Sequence, residues 1–171
     1  MQLIRCTGKL LRELRAKPME SRADEASHSF LGQWHANLIF IARRKCLLFV
    51  NDRTLFNFIV PDVSSSNIRA LPELFRETLS CVLSAERVPS DTRDRILSEY
   101  KELGVAKSSD RSVLGSANDI AYHYKVAILK AGGVHSWRVP EIIRELNRMP
   151  MQAIEFAFPI EQLAHECGFA A

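Results

Sequence analysis

Trp34-His35-Ala36-Asn37-Leu38-Ile39-Phe40-Ile41-Ala42, then Arg43-Arg44-Lys45, then Cys46-Leu47-Leu48-Phe49-Val50, is the stretch that decides the fold. Two apolar runs flank three consecutive cations. A third run over residues 55–60 follows the polar Asn51-Asp52-Arg53-Thr54. Short apolar runs bounded by polar turns read as strands. Three in succession read as an antiparallel meander with Arg43-Arg44-Lys45 at a hairpin tip. In the first two runs both alternating positions are apolar, so those strands are expected to be covered on both faces. Asn57 gives the third run a weak alternation, and a helix over residues 54–60 is the lesser alternative.

Outward from the meander, residues 2–6 read as a short strand. Thr7 is placed to cap a helix whose stripe is Leu10, Leu11 and Leu14, and Pro18 ends it. Residues 18–32 are polar and read as a long surface loop with room for a turn of helix. On the other side, Leu71, Leu74, Phe75, Leu79, Val82 and Leu83 predict a helix over 67–86. Pro89-Ser90-Asp91 starts another, with Gly104 as its C-cap, and residues 105–108 read as a short strand. Ser116 with Asp119 has capping-box spacing and predicts a helix start, with Gly132-Gly133 as its end. Further short helices are expected after Pro140 and after Pro159. The fold class is therefore α+β. A small antiparallel sheet, the meander at about 34–60 plus the N-terminal strand, packs against several helices in one domain spanning residues 1–171.

The composition is that of an ordinary globular chain, with 47% hydrophobic and 25% charged residues among 171. The N-terminus has no signal-peptide pattern, and no apolar run approaches the roughly 20 residues of a membrane span. Cys6, Cys46, Cys81 and Cys167 form no C-x-x-C pair. They read as reduced structural thiols, with Cys6, Cys46 and Cys81 in apolar surroundings. These features predict a cytoplasmic location, no membrane and no cofactor. The net charge of +3 is unevenly spread: residues 1–53 hold ten basic and five acidic side chains, and the rest carry a slight acidic excess. A basic end points to an anionic partner, nucleic acid or an acidic protein.

Three places gather polar residues. Lys9, Arg12, Arg43, Arg44 and Lys45 are candidates for one basic patch, with Arg15 able to join, if the first helix packs beside the hairpin. Such a patch grips phosphates without reading bases. Against stacking, Trp34, Phe40, Phe49, Phe56 and Phe58 all read as core. The second place is Gln33-Trp34-His35-Ala36-Asn37, with His35 as a candidate acid/base and Trp34 and Asn37 as candidate ligand contacts; a packed core histidine is the plainer reading. The third is the turn at residues 111–119. There Arg111, Ser112, Ser116 and Asn118 are candidate ligand contacts and Asp119 a candidate catalytic group, set at an expected helix N-terminus that favours anions. His123 lies one helical turn beyond Asp119 and is the remaining catalytic candidate. Simple capping by Ser116 is the plainer account of this segment. No metal site is expected, since no ligands cluster, and no G-x-S-x-G, H-E-x-x-H or G-x-G-x-x-G is present.

Ile4-Arg5-Cys6-Thr7, Trp34-His35-Ala36-Asn37-Leu38, Arg43-Arg44-Lys45-Cys46 and Thr54-Leu55-Phe56 together resemble the motifs of a bacterial family known only as a domain of unknown function. The run from Arg111 to Ser116 with Asn118-Asp119, and Leu146-Asn147-Arg148 with Pro150-Met151, resemble its later motifs. The resemblance spans nearly the whole chain. It implies one domain of this size and supplies no activity, cofactor or substrate. From the residues themselves the leading expectation is a non-catalytic binding or interaction module with a basic N-terminal face. The alternative is a small-molecule or enzymatic site at the 111–119 turn, with His35 or His123 as acid/base. Whether the chain is an enzyme stays open at this point.

Overall fold

A computed structural model describes residues 1–20 and 29–171. Residues 21–28, the middle of the expected polar loop, lie outside the described residues. In chain order the elements are β1 (Gln2–Cys6), α1 (Gly8–Leu14), β2 (Trp34–Ile41), β3 (Arg44–Asn51), β4 (Asn57–Val60), α2 (Ser65–Arg69), α3 (Leu71–Ala85), α4 (Ser90–Glu99), β5 (Leu103–Lys107), α5 (Arg111–Lys130), α6 (Val139–Leu146) and α7 (Pro159–Cys167).

The fold is α+β, and the meander forms as the sequence predicts. β2 and β3 pair antiparallel from Trp34↔Asn51 to Ile41↔Arg44, and β4 adds antiparallel to β3. The hairpin closes through Ala42 and Arg43, both left-handed at φ 47° and 66°. That is the conformation a two-residue turn needs to match strand twist. The N-terminal strand departs from the expected antiparallel arrangement. β1 joins β2 in parallel, Ile4↔Trp34 to Cys6↔Ala36, because the intervening α1 carries the chain back across the sheet before β2 begins. β5 then pairs parallel to the other side of β1, giving a mixed sheet in the order β4-β3-β2-β1-β5.

Both faces are covered, in keeping with strands that hold apolar residues at both alternating positions. Trp34, Phe49 and Phe58 meet Phe75 of α3 and Tyr100 at the end of α4, with ring centroids 5.1–5.4 Å apart for Trp34–Phe75, Phe49–Phe58 and Phe75–Tyr100. Such pairs contribute about 0.5–1.5 kcal/mol each beyond their burial. On the opposite face α5 and α6 dock through a buried polar triad. The Tyr124 hydroxyl donates to Asn57 Oδ1 at 2.8 Å, and Asn147 both accepts from the Asn57 amide at 2.9 Å and donates to its carbonyl at 2.7 Å. Among the described residues no helix is long and apolar enough to cross a membrane.

Three local expectations are corrected. Gly104 sits inside β5 rather than capping α4. A Cβ there would lie 2.7 Å from the Met19 sulfur and 3.0 Å from Leu3, so the glycine serves close packing across the strand. Ser116 does not open a helix: α5 begins at Arg111, capped by Asp110, whose carboxylate accepts from the Ser112 and Val113 amides at 2.8 and 3.2 Å. Gly115 and Ser116 are simply carried in its interior. Cys81 is exposed on α3, while Cys6, Cys46 and Cys167 are buried. Cys81 stands beside Val82 and Leu83 in sequence but on the outer side of the helix, since neighbouring residues of a helix do not share a face.

Candidate functional site

β1 ends at Cys6 because Gly8 begins α1, whereas β2 continues to Ile41. The second half of β2 therefore has no strand on its β1 side. The Thr7 amide donates to the Ala36 carbonyl at 3.2 Å. Backbone groups two residues apart point to the same side of a strand, so the N–H and C=O of Leu38 and Phe40 face the same way. No described residue forms a backbone hydrogen bond with them there.

This open edge floors a groove of about 520 Å³. Asn37, Leu38, Ile39 and Phe40 form the floor, Lys9 of α1 stands on one side, and Asn118, Ala121, Tyr122 and Lys125 of α5 stand on the other. Thr7 Oγ1 donates to Asn37 Oδ1 at 3.3 Å at the groove's inner end. The Lys9 ammonium lies 4.1 Å from the Phe40 ring centroid, a cation–π contact. Phe40 is 38% exposed and Tyr122 65% exposed. Phe40 thus departs from the expected core placement, because its strand outruns its neighbour. Trp34, Phe49, Phe56 and Phe58 are buried as expected.

The proposed basic residues stand near this groove. Lys45 is opposite Phe40 in the β2–β3 register and donates to Glu13 of α1 at 2.9 Å, which ties the first helix to the hairpin. Arg44 reaches Asp62 at 3.5 Å. Arg12 and Arg43 are exposed and form no ion pair with a described residue. Two of the five cations are therefore partly neutralised, and Lys9, Arg12 and Arg43 keep their charge outward, joined by Lys125 from α5. Lys125 and Tyr122 escape sequence reading because only the docking of α5 on β2 brings them to the hairpin.

The residues of the expected 111–119 turn do not form one site with the histidines. They lie along the first half of α5, where Arg111, Ser112, Asn118 and Asp119 are exposed. Asn118 faces the groove, while Ser116 and Asp119 line a separate recess with Leu55, Met151, Gln152 and Ala153. His123 is exposed and meets Tyr122 edge-on, with ring centroids 5.8 Å apart, and makes no ion pair with Asp119. Trp34 is a core residue: its Nε1–H donates to the Tyr100 hydroxyl at 2.9 Å, which donates to the Gly32 carbonyl at 3.0 Å.

His35 is 2% exposed. Its Nδ1 is paired with the Asp52 carboxylate, and its Nε2 is buried without a hydrogen-bond partner. A carboxylate at Nδ1 takes the N–H of that ring nitrogen, which leaves Nε2 as the ring's second polar atom. Asp52 lines a recess of about 410 Å³ with Arg5, Gln33, Arg53, Ser109 and Asp110. Gln33 accepts from Arg5. Arg53 donates to the Ser29 and Phe30 carbonyls at 3.1 and 2.9 Å and reaches Glu166 at 3.4 Å. The cationic side chains of this recess are thus engaged in holding loops together. Among the described residues no three His, Cys, Asp or Glu side chains gather at metal-binding distance.

Burial pushes the Cys6 and Cys167 thiols up to about 12 and raises Cys46 as well, so these sulfurs are protonated and inert at neutral pH.

Compared with curated proteins, the chain matches none of them. The family model described as Domain of unknown function (DUF6933) matches residues 3–162. With nearly all of its length inside that match, the chain belongs to this family.

Proposed function

We propose that the protein is a non-catalytic binding module that engages an anionic partner along the groove between α1 and α5. The observation that carries this reading is the groove itself: a floor of unpaired strand edge, an exposed Phe40 and Tyr122, and Lys9 and Lys125 on opposite walls. Arg12 and Arg43 extend the positive field past its ends, which steers an anion toward the floor. Four free thiols support placing the module in the bacterial cytoplasm.

The test is a double charge reversal, Lys9→Glu with Lys125→Glu, read by fluorescence anisotropy with a labelled poly-glutamate peptide. Binding roughly tenfold weaker than wild type is expected, at about 1 kcal/mol or less for each exposed charge. The difference should shrink as salt is raised, since exposed charges are screened. Equal affinity in both proteins at low salt would remove the groove from consideration.

A second reading is favoured by one observation, the unpartnered Nε2 of His35 held by Asp52 beside the 410 Å³ recess. Under it the recess takes a small polar molecule and His35 acts as a base. An Asp52→Asn variant that leaves every small-molecule thermal shift unchanged counts against this reading.

A further inference from the structure

The proposed function leaves open what kind of anion fits, and the floor of the groove narrows it. Leu38 is only 2% exposed, yet its lateral N–H and C=O have no hydrogen-bond partner among the described residues. A buried backbone pair without a partner is unfavourable, and Phe40, which is exposed, turns a second unpaired N–H and C=O to the same side two residues on. A lateral N–H and C=O recurring every second residue is the pattern that an added strand satisfies. We infer that the partner is an acidic protein segment that binds in extended form, adding a strand to β2 alongside Leu38 and Phe40 where β1 has ended. This rests on the reading of the groove as an anion-binding site and goes on to name its ligand.

The walls fit the same occupant. A strand continuing the line of β1 runs between α1 and α5, so its side chains alternate toward the two helices. Lys9 and Lys125 then meet carboxylates from opposite sides, and Phe40 and Tyr122 offer apolar surface to whatever lies between. A nucleic acid fits less well. It has no alternating backbone donors and acceptors to match the edge, and Arg44 and Lys45 are partly neutralised by Asp62 and Glu13. The remaining positive field is small for a phosphate backbone, whose binding rests on many such contacts.

The experiment uses the full chain and a fluorescein-labelled peptide of glutamate and valine in the repeat Glu-Glu-Val-Val, which puts carboxylates on both faces of an extended strand. Its companions are the same peptide N-methylated at alternate residues, and a duplex DNA of arbitrary sequence. Amide hydrogen exchange of the protein is followed by NMR in parallel. Strand addition predicts that the acidic peptide binds, that N-methylation weakens it by roughly tenfold, the loss of one or two net hydrogen bonds, and that the Leu38 and Phe40 amides gain protection. If the two peptides bind equally and those amides are unchanged, strand addition is overturned while the anionic-groove reading stands. If only the DNA binds, the peptide ligand is overturned and a nucleic-acid partner takes its place. If neither binds, this inference and the proposed function both fall.

Discussion

The amide of Thr7 donates to the carbonyl of Ala36 at 3.2 Å, and beyond that bond β1 and β2 part company. One chain turns into α1 at Gly8, and the other runs on to Ile41. The groove exists because two paired strands have different lengths. Its chemistry comes from what stands over the unpaired remainder: Lys9 on one helix, Tyr122 and Lys125 on the other.

The hairpin tip presents a cation at a conformational cost. Ala42 and Arg43 both adopt φ above zero, a region that disfavours L-residues with a Cβ by roughly 1–2 kcal/mol each. Asn-Gly is the sequence that suits such a turn. Ala42→Asn combined with Arg43→Gly is therefore expected to stabilise the protein by about 1–2 kcal/mol, measured by urea denaturation, and to weaken acidic-peptide binding. A stabilised variant that binds as well as wild type shows that Arg43 adds nothing to the interaction.

Asn147 holds α6 to the sheet with two hydrogen bonds to the backbone of Asn57 and anchors itself to its own helix with a third, to the Ile143 carbonyl at 2.8 Å. Removing the amide strands the buried N–H and C=O of Asn57. Asn147→Ala is expected to cost about 2–4 kcal/mol, seen as a lower denaturation midpoint with an unchanged slope. A loss under about 0.5 kcal/mol would mean that water or a shifted side chain replaces these bonds.

The buried thiols set an alkaline limit. Cys6 and Cys167 titrate near 12 in the folded chain against an ordinary 9.0. Between those values the folded state keeps protons that the unfolded state loses. Their contribution to stability is therefore full below about pH 9 and falls as pH rises toward 12, at up to about 1.4 kcal/mol per pH unit for each thiol. A Cys6→Ala, Cys167→Ala variant should decline more shallowly than wild type over pH 9–11 in a thermal melt. Parallel declines would show that other groups control the alkaline limit.

How far the sequence reached is clear from particular residues. The meander was legible because Arg43-Arg44-Lys45 and Asn51-Asp52-Arg53-Thr54 separate runs too short and too apolar for anything but covered strands. The parallel placement of β1 was not, because strand direction depends on where α1 carries the chain, and no local residue encodes that. Asp110 was not legible as the cap because Ser116 and Asp119 have capping-box spacing six residues later. Once inside a helix with its first amides already satisfied, that signal had no effect. Lys9, Arg12 and the hairpin cations were legible as charges but not the ion pairs that Arg44 and Lys45 make, and His35 is buried against Asp52. The groove was invisible, since Phe40 becomes exposed only through the mismatch in strand length, and Tyr122 and Lys125 join it from far along the chain.

The most direct test of the central claim is a two-dimensional amide NMR titration of the protein with the glutamate-valine peptide at low salt. Strand addition in the groove predicts shifts confined to Thr7–Lys9, residues 37–41 and residues 118–125, fading as salt is added. Shifts centred instead on Asp52, Arg53 and residues 109–110 would contradict it and move the binding site to the recess beside His35.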